Sequence, residues 1–95
     1  MKNNNVVIDI EAIDECRCAA HQGFDSAQYA LGRAYKEGLV GPEDIRLRKM
    51  IGDGWINESF SQGADGRTFD RQYRKFYRPA FVGRGNANVS TPDCA

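Results

Sequence analysis

No apolar run in this chain approaches the roughly 20 residues that cross a bilayer as a helix, so no membrane-spanning helix is expected. The start, Met-Lys-Asn-Asn-Asn-Val-Val-Ile-Asp-Ile, lacks the longer apolar core of a signal peptide, and a cytoplasmic protein is expected. Histidine occurs once, at His21. A single histidine outside any motif gives no catalytic pairing with a nucleophile or an orienting acid, and its place at a helix end suits the macrodipole instead. Cysteine is scarce and odd in number: Cys16 and Cys18 are two apart, and Cys94 stands near the other end. Three cysteines with no second pair are a poor disulfide framework and a poor zinc site, so plain thiols are expected. Asn88-Val89-Ser90 matches a glycosylation sequon, which means nothing in a cytoplasmic protein.

Net charge is also missing. Thirteen Lys and Arg balance 13 Asp and Glu, which argues against a general affinity for nucleic acid. The balance hides a segregation. Residues 1–45 hold eight acids and four bases, net −4, and residues 46–95 hold five acids and nine bases, net +4. Such asymmetry points to polar surfaces or partners and says nothing of fold. Gly52-Asp53-Gly54 and Gly83-Arg84-Gly85 lack the strand–glycine–helix setting and the Lys-Ser/Thr pair of a phosphate loop. Glu43/Asp44 and Asp14/Glu15 are sequence neighbours and point to different sides of a helix. No catalytic, metal or cofactor-binding residue is assigned, and a non-enzyme is expected.

What is present is helical periodicity. Ninety-five residues make one domain, expected over 1–82, with a flexible tail over 83–95 where Gly, Asn, Ser and Pro dominate. Ala27, Ala30, Leu31, Ala34 and Tyr35 fall on one helical face. Asp25 is the expected N-cap of that helix, 26–37, with Gln28 completing a capping box and Phe24 as a staple. Gly38 is expected to end it in a left-handed conformation. The helix before it, 10–22, has Asp9 as cap, Ile10, Ile13 and Cys16 on one face, and Gly23 as stop. Glu11, Asp14, Glu15 and Arg17 lie on the opposite face. Val6, Val7 and Ile8 form an extended lead-in, because no second strand exists to pair with them.

Pro42, Glu43 and Asp44 open the third helix, with proline at its first position. It presents Leu47, Met50, Ile51 and Trp55 on one side and is expected to break near Gly52, restarting through Trp55, Ile56 and Phe60. Thr68 caps a last helix with Phe69, Tyr73, Phe76 and Tyr77 at helical spacing, ended by Pro79. The fold class is therefore all-α: four to five short helices arranged as helical hairpins.

The centre of the chain resembles a Sel1-like repeat, a relative of the tetratricopeptide helix pair, over about residues 12–44. Ala19, Ala20 and Gly23 match the end of one repeat. Ala27, Tyr29, Leu31, Gly32, Tyr35, Gly38, Val40 and Asp44 match the next, and Ala12 falls where the preceding helix carries its small residue. The resemblance implies that the first three helices are consecutive members of a right-handed stack of hairpins. After Asp44 the pattern departs: Arg48 and Ile51 stand where the family has alanine and an aromatic residue.

Function is sought in Arg67, Arg71, Arg74, Lys75 and Arg78, which surround the aromatic stripe of the last helix, with Tyr77 among them. Arginine grips carboxylates and phosphates bidentately and stacks on rings. These residues are the expected partner-binding surface of an adaptor or inhibitor that docks on a protein complex with an acidic surface. A phage-encoded inhibitor of a bacterial defence system, of the anti-CRISPR type, is one concrete version, resting on size and the lack of chemistry. Nucleic-acid binding through the same helix is the rival, since aromatic rings stack on unpaired bases. A homodimer is a further option, and no membrane partner is expected.

Overall fold

A computed structural model describes residues 8–63 and 65–82, all helix, turn and loop, with no strand among them. The order is α1 (Ile10–His21), α2 (Asp25–Lys36), α3 (Ile45–Phe60) and α4 (Gly66–Gln72), then a π-helical turn (Tyr73–Tyr77) that runs directly into α5 (Arg78–Phe81). The all-α class is as expected. Among the described residues no helix is long and apolar enough to cross a membrane. Val6, Val7, Cys94 and the tail expected from 83 onward lie outside the described residues.

The helix α2 is central because three of its faces are apolar or small. Ala27, Ala30, Leu31 and Ala34 are buried in one core with Ile13, Cys16 and Ala20 of α1. Both hairpin-forming stops work as the glycines predict. Gly23 and Gly38 have φ of +100° and +82°. The Phe24 N–H reaches the Ala19 carbonyl at 3.2 Å and the Leu39 N–H the Ala34 carbonyl at 2.9 Å, which satisfies carbonyls a helix end leaves open. Asp9 caps α1 as expected, its carboxylate accepting from the Ala12 N–H at 3.2 Å.

The start of α2 departs from expectation. Asp25 is its first helical residue, and Phe24 caps it through the backbone alone. No capping box forms, because Gln28 is drawn inward: its amide donates to the Ala20 carbonyl at 3.1 Å and accepts from Gln62 at 3.1 Å. Phe24, expected as a staple, is 59 % exposed and is not among the residues packed on the core. Cys16 is a free, buried thiol that donates to the Ala27 carbonyl at 3.2 Å, and burial pushes its pKa up to about 12. Cys18, by contrast, is disulfide-bonded. That departs from the expectation of three plain thiols.

The third helix is unbroken, against the expected interruption at Gly52. Gly52 is buried and faces Gly32 of α2. A Cβ on Gly32 would lie 2.6 Å from the Gly52 carbonyl oxygen, and one on Gly52 would lie 2.7 Å from the Gly32 carbonyl oxygen. The pair lets two backbones touch, and that contact outweighs glycine's poor helix propensity. Lys36 and Asp53 pair across the same crossing at 2.8 Å. Asp44, not Pro42, opens the helix, its carboxylate accepting from the Arg46 N–H at 3.0 Å. The buried side of α3 is Gly52 and Ser59, with Trp55 and Ile56 packed against the core. Leu47 and Met50, expected to face inward, are exposed.

Asp65, not Thr68, caps α4, accepting from the Arg67 N–H at 3.2 Å. Phe69, Tyr73 and Phe81 are buried and Tyr77 packs against them. These four residues are spaced by four. An α-helix carries such a series about 40° further round at each step. The π-helical turn is wider, closed by the Arg78 N–H on the Tyr73 carbonyl, and it offsets that drift. Phe76, counted in the stripe from sequence, is left 64 % exposed. Pro79 does not end the helix. It sits in the first turn of α5, where its missing N–H has no required partner. The Asp9 N–H donates to the Phe81 carbonyl at 2.7 Å and ties the start of α1 to the end of α5.

Candidate binding surface

The last helical run is held to α2 by rings below and charges at the rim. Phe69 stacks on Tyr29 and on Phe60 at centroid distances of 5.4 and 5.9 Å. Above these rings lies Arg33 of α2. Its guanidinium donates to Asp70 at 2.7 Å, to the Tyr29 hydroxyl at 2.9 Å and to Glu37 at 3.2 Å, and it covers the Tyr73 ring at 4.8 Å. The other oxygen of Glu37 accepts from the Tyr73 hydroxyl at 3.0 Å and from Arg78 at 3.2 Å. The other oxygen of Asp70 accepts from Arg74 at 3.2 Å.

Electrostatics follow from this chain of contacts. Burial works against the Arg33 charge, but the bonds from Asp70, Tyr29 and Glu37 outweigh it and raise its pKa further. The Arg33 guanidinium in turn holds the Asp70 carboxyl below the usual carboxylate range, with Arg74 adding to the effect. Burial, then the Glu37 charge, raises the Tyr73 phenol above its ordinary value. Asp70 and Glu37 are thus committed to a latch between α2 and the last helical run.

Outside that latch, Arg67, Arg71, Arg74 and Lys75 line a shallow groove of about 430 Å³ with Asp70 on its wall. Their spacing places them on the side of the helix away from Phe69 and Tyr73. Among the described residues no hydrogen bond or ion pair engages the side chains of Arg67, Arg71 or Lys75. The Lys75 ammonium lies 5.9 Å from the Phe76 ring centroid. No protein-family model, curated protein or solved structure matches the chain.

Two of the six residues expected in the binding surface are employed elsewhere. Arg78 turns toward α2 and pairs with Glu37. Tyr77 packs on the core, its hydroxyl 3.3 Å from that of Ser26. Tyr77 ends the π-helical turn on the same stripe as Phe69 and Tyr73, and Arg78 follows directly after it. Asp70, Arg33 and Glu37 went unremarked in the sequence. Arg33/Glu37 and Asp70/Arg74 are spaced by four, as surface pairs on one helix are, and that spacing gives no sign that the two pairs meet. Glu11, Asp14 and Glu15, the alternative acidic face, lie on α1, and Asp14 is paired with Arg17. Among the described residues no cluster of three metal-ligating side chains occurs.

Proposed function

We propose that this chain is a non-catalytic interaction module that docks a protein partner through Arg67, Arg71, Arg74 and Lys75. One observation carries the reading: three cations without an ionic partner among the described residues share a groove whose wall acid, Asp70, is already bound to Arg33 and Arg74. A guanidinium on a helix whose other side is locked in the core offers bidentate hydrogen bonds from a fixed backbone, so that side-chain ordering is the main remaining cost of binding. The complementary partner is an acidic protein surface. Occupying such a surface makes the chain an adaptor or an inhibitor, and a phage-encoded blocker of a bacterial defence complex is one concrete form of that role. The Sel1-like reading of 12–44 belongs to the same proposal, supported by the small residues Ala20, Ala27 and Gly32 at the contacts between α1, α2 and α3.

A second reading has its own observation. Phe76 is 64 % exposed beside Lys75, and a ring flanked by cations is a platform for an unpaired base. One experiment tests both. The full chain and its Arg71→Glu/Lys75→Glu variant serve as bait in affinity capture from the native host, alongside thermal melts and binding to single-stranded DNA and RNA at two salt concentrations. The expected result is capture of a protein by the parent chain, loss of that capture in the variant, and unchanged melting. Salt-steep binding to nucleic acid by the isolated chain favours the second reading. Equal capture by parent and variant refutes the first.

A further inference from the structure

Arg74 differs from the other cations of the basic groove in how it is held. Its Nε donates to Asp70 Oδ2 at 3.2 Å, and among the described residues no hydrogen bond engages its two Nη groups. The side chain is 69 % exposed, so the outer edge of the guanidinium faces solvent. A lone exposed pair at i,i+4 orders a side chain poorly. Here the acceptor is fixed beforehand. Asp70 Oδ1 takes the Arg33 guanidinium at 2.7 Å, and Arg33 is itself bound to the Tyr29 hydroxyl and to Glu37 and lies over the Tyr73 ring. With Asp70 already in place, only Arg74 loses freedom when its pair closes. Arg67, Arg71 and Lys75 have no hydrogen-bonded tether of this kind among the described residues.

Within the acidic-partner reading above, on which this rests, we infer that Arg74 anchors one carboxylate of the partner, and that Asp70 and Arg33 are positioning residues that aim it. A carboxylate matches two parallel N–H groups on one edge of a guanidinium. In Arg74 the Nε side is occupied by Asp70, which leaves the edge formed by the two Nη groups. That edge belongs to a side chain whose freedom is already lost in folding, whereas the untethered cations must be ordered by the partner. Asp70 needs no contact with the partner, because it acts through Arg74. Charge alone assigns it the opposite role: an acid on the wall of a basic groove repels an acidic partner. Removing its charge therefore separates the two roles by the sign of the effect. The residues outside the description contain one acid, Asp93, the single carboxylate side chain that the chain itself supplies from there.

The full chain is titrated into a fluorescent poly-glutamate peptide at physiological salt, where long-range charge effects are screened. The arginine Nε–Hε signals of the free chain are followed by NMR. Asp70→Asn is expected to weaken peptide binding about two- to tenfold, the cost of ordering one long side chain, although it removes an acid from the groove. In an Arg74→Gln background the same change is expected to cause no weakening, because no fork is left to aim. Arg74→Lys keeps the charge and loses the fork, and is expected to weaken binding about tenfold. In the parent the Arg74 signal is expected to be less mobile than that of Arg71, and in Asp70→Asn and Arg33→Gln equally mobile. Asp93→Asn is expected to bind as the parent does. Should Asp70→Asn not fold, Arg74→Lys and the parent's NMR signals decide alone. Unchanged or tighter binding by Asp70→Asn overturns the inference, as does equal weakening with and without Arg74, or an Arg74 signal as mobile as that of Arg71 in the parent. Tighter binding by Asp93→Asn also overturns it, by placing the chain's own acid on the fork. A single-stranded RNA that outbinds the peptide and loses its advantage in Arg74→Lys assigns the fork to phosphate instead. A parent chain that ignores the peptide refutes the acidic-partner reading itself. Peptide binding that Arg71→Glu/Lys75→Glu abolishes and Asp70→Asn leaves intact refutes only the role of Asp70 and Arg74.

Discussion

Placing a methyl group at Gly32 tests the tightest contact in the fold. In an exposed helix Gly→Ala stabilises by roughly 1 kcal/mol. At Gly32 the new Cβ meets the Gly52 carbonyl oxygen at 2.6 Å, Ile56 Cγ1 at 2.6 Å and the Ile56 nitrogen at 3.2 Å. Two of those three atoms are backbone, so a rotamer change cannot clear them and the helices must separate. Overpacking of that kind costs about 1–3 kcal/mol, and the end fixed by backbone is the upper one. After the propensity gain the net loss is about 1–2 kcal/mol. For a domain of this length each kcal/mol moves Tm by about 4–8 °C. The control is Gly54→Ala on the same pair of helices, where the methyl meets nothing within 4 Å. It is expected to gain about 0.5–1 kcal/mol. Both variants are read by thermal and urea melts followed at 222 nm, at low protein concentration. A Gly32→Ala protein as stable as the Gly54→Ala protein refutes the close crossing of α2 and α3.

The register set by the π-helical turn makes a paired prediction. Phe81→Ala is expected to cost about 3–5 kcal/mol, as buried phenylalanine truncations do, and Phe76→Ala to stay within about 0.5 kcal/mol, both measured by urea denaturation. The latch between α2 and the last helical run gives opposite pH responses at its two ends. Tyr73 has its folded pKa raised, so its contribution is complete below the unfolded phenol value near about 10 and is lost as pH rises through the folded value. Alkaline melts of Tyr73→Phe are expected to fall less steeply than those of the parent. Asp70 has its folded pKa lowered by Arg33, so its contribution is present above the unfolded carboxylate value and is lost as pH falls through the folded one. In Arg33→Gln the Asp70 carboxyl, followed by NMR titration, is expected to move back toward its ordinary value.

Much of the fold was legible because local signals and packing agree. The two left-handed glycines at 23 and 38, the Asp9 cap and the face Ala27-Ala30-Leu31-Ala34 are backbone and periodicity features that need no distant partner. The misreadings have distant partners in common. Gln28 gave up its capping box for the Ala20 carbonyl and Gln62, and Gly52 reads as a break until Gly32 is seen opposite it. The basic groove was half legible. Arg67, Arg71, Arg74 and Lys75 share one side of a helix by spacing alone. Tyr77 belongs instead to the series spaced by four from Phe69 to Phe81, and Arg78, directly after the π-helical turn, pairs with Glu37.

The sequence by itself determined the all-α class, the positions of the first hairpin's stops and the clustering of cations near residue 70. Each of these follows from interactions within a few residues along the chain, where propensity, capping and i,i+4 geometry act. Only the tertiary structure decided which carboxylates neutralise which cations. Arg33 and Glu37 of α2 lie some 40 residues from the partners that they bind, Asp70, Tyr73 and Arg78. It also decided which face of α3 is left to solvent. Leu47 and Met50 are as apolar as a core stripe, but the α2 contact is won by the two glycines, since only where side chains are absent can the backbones of two helices meet.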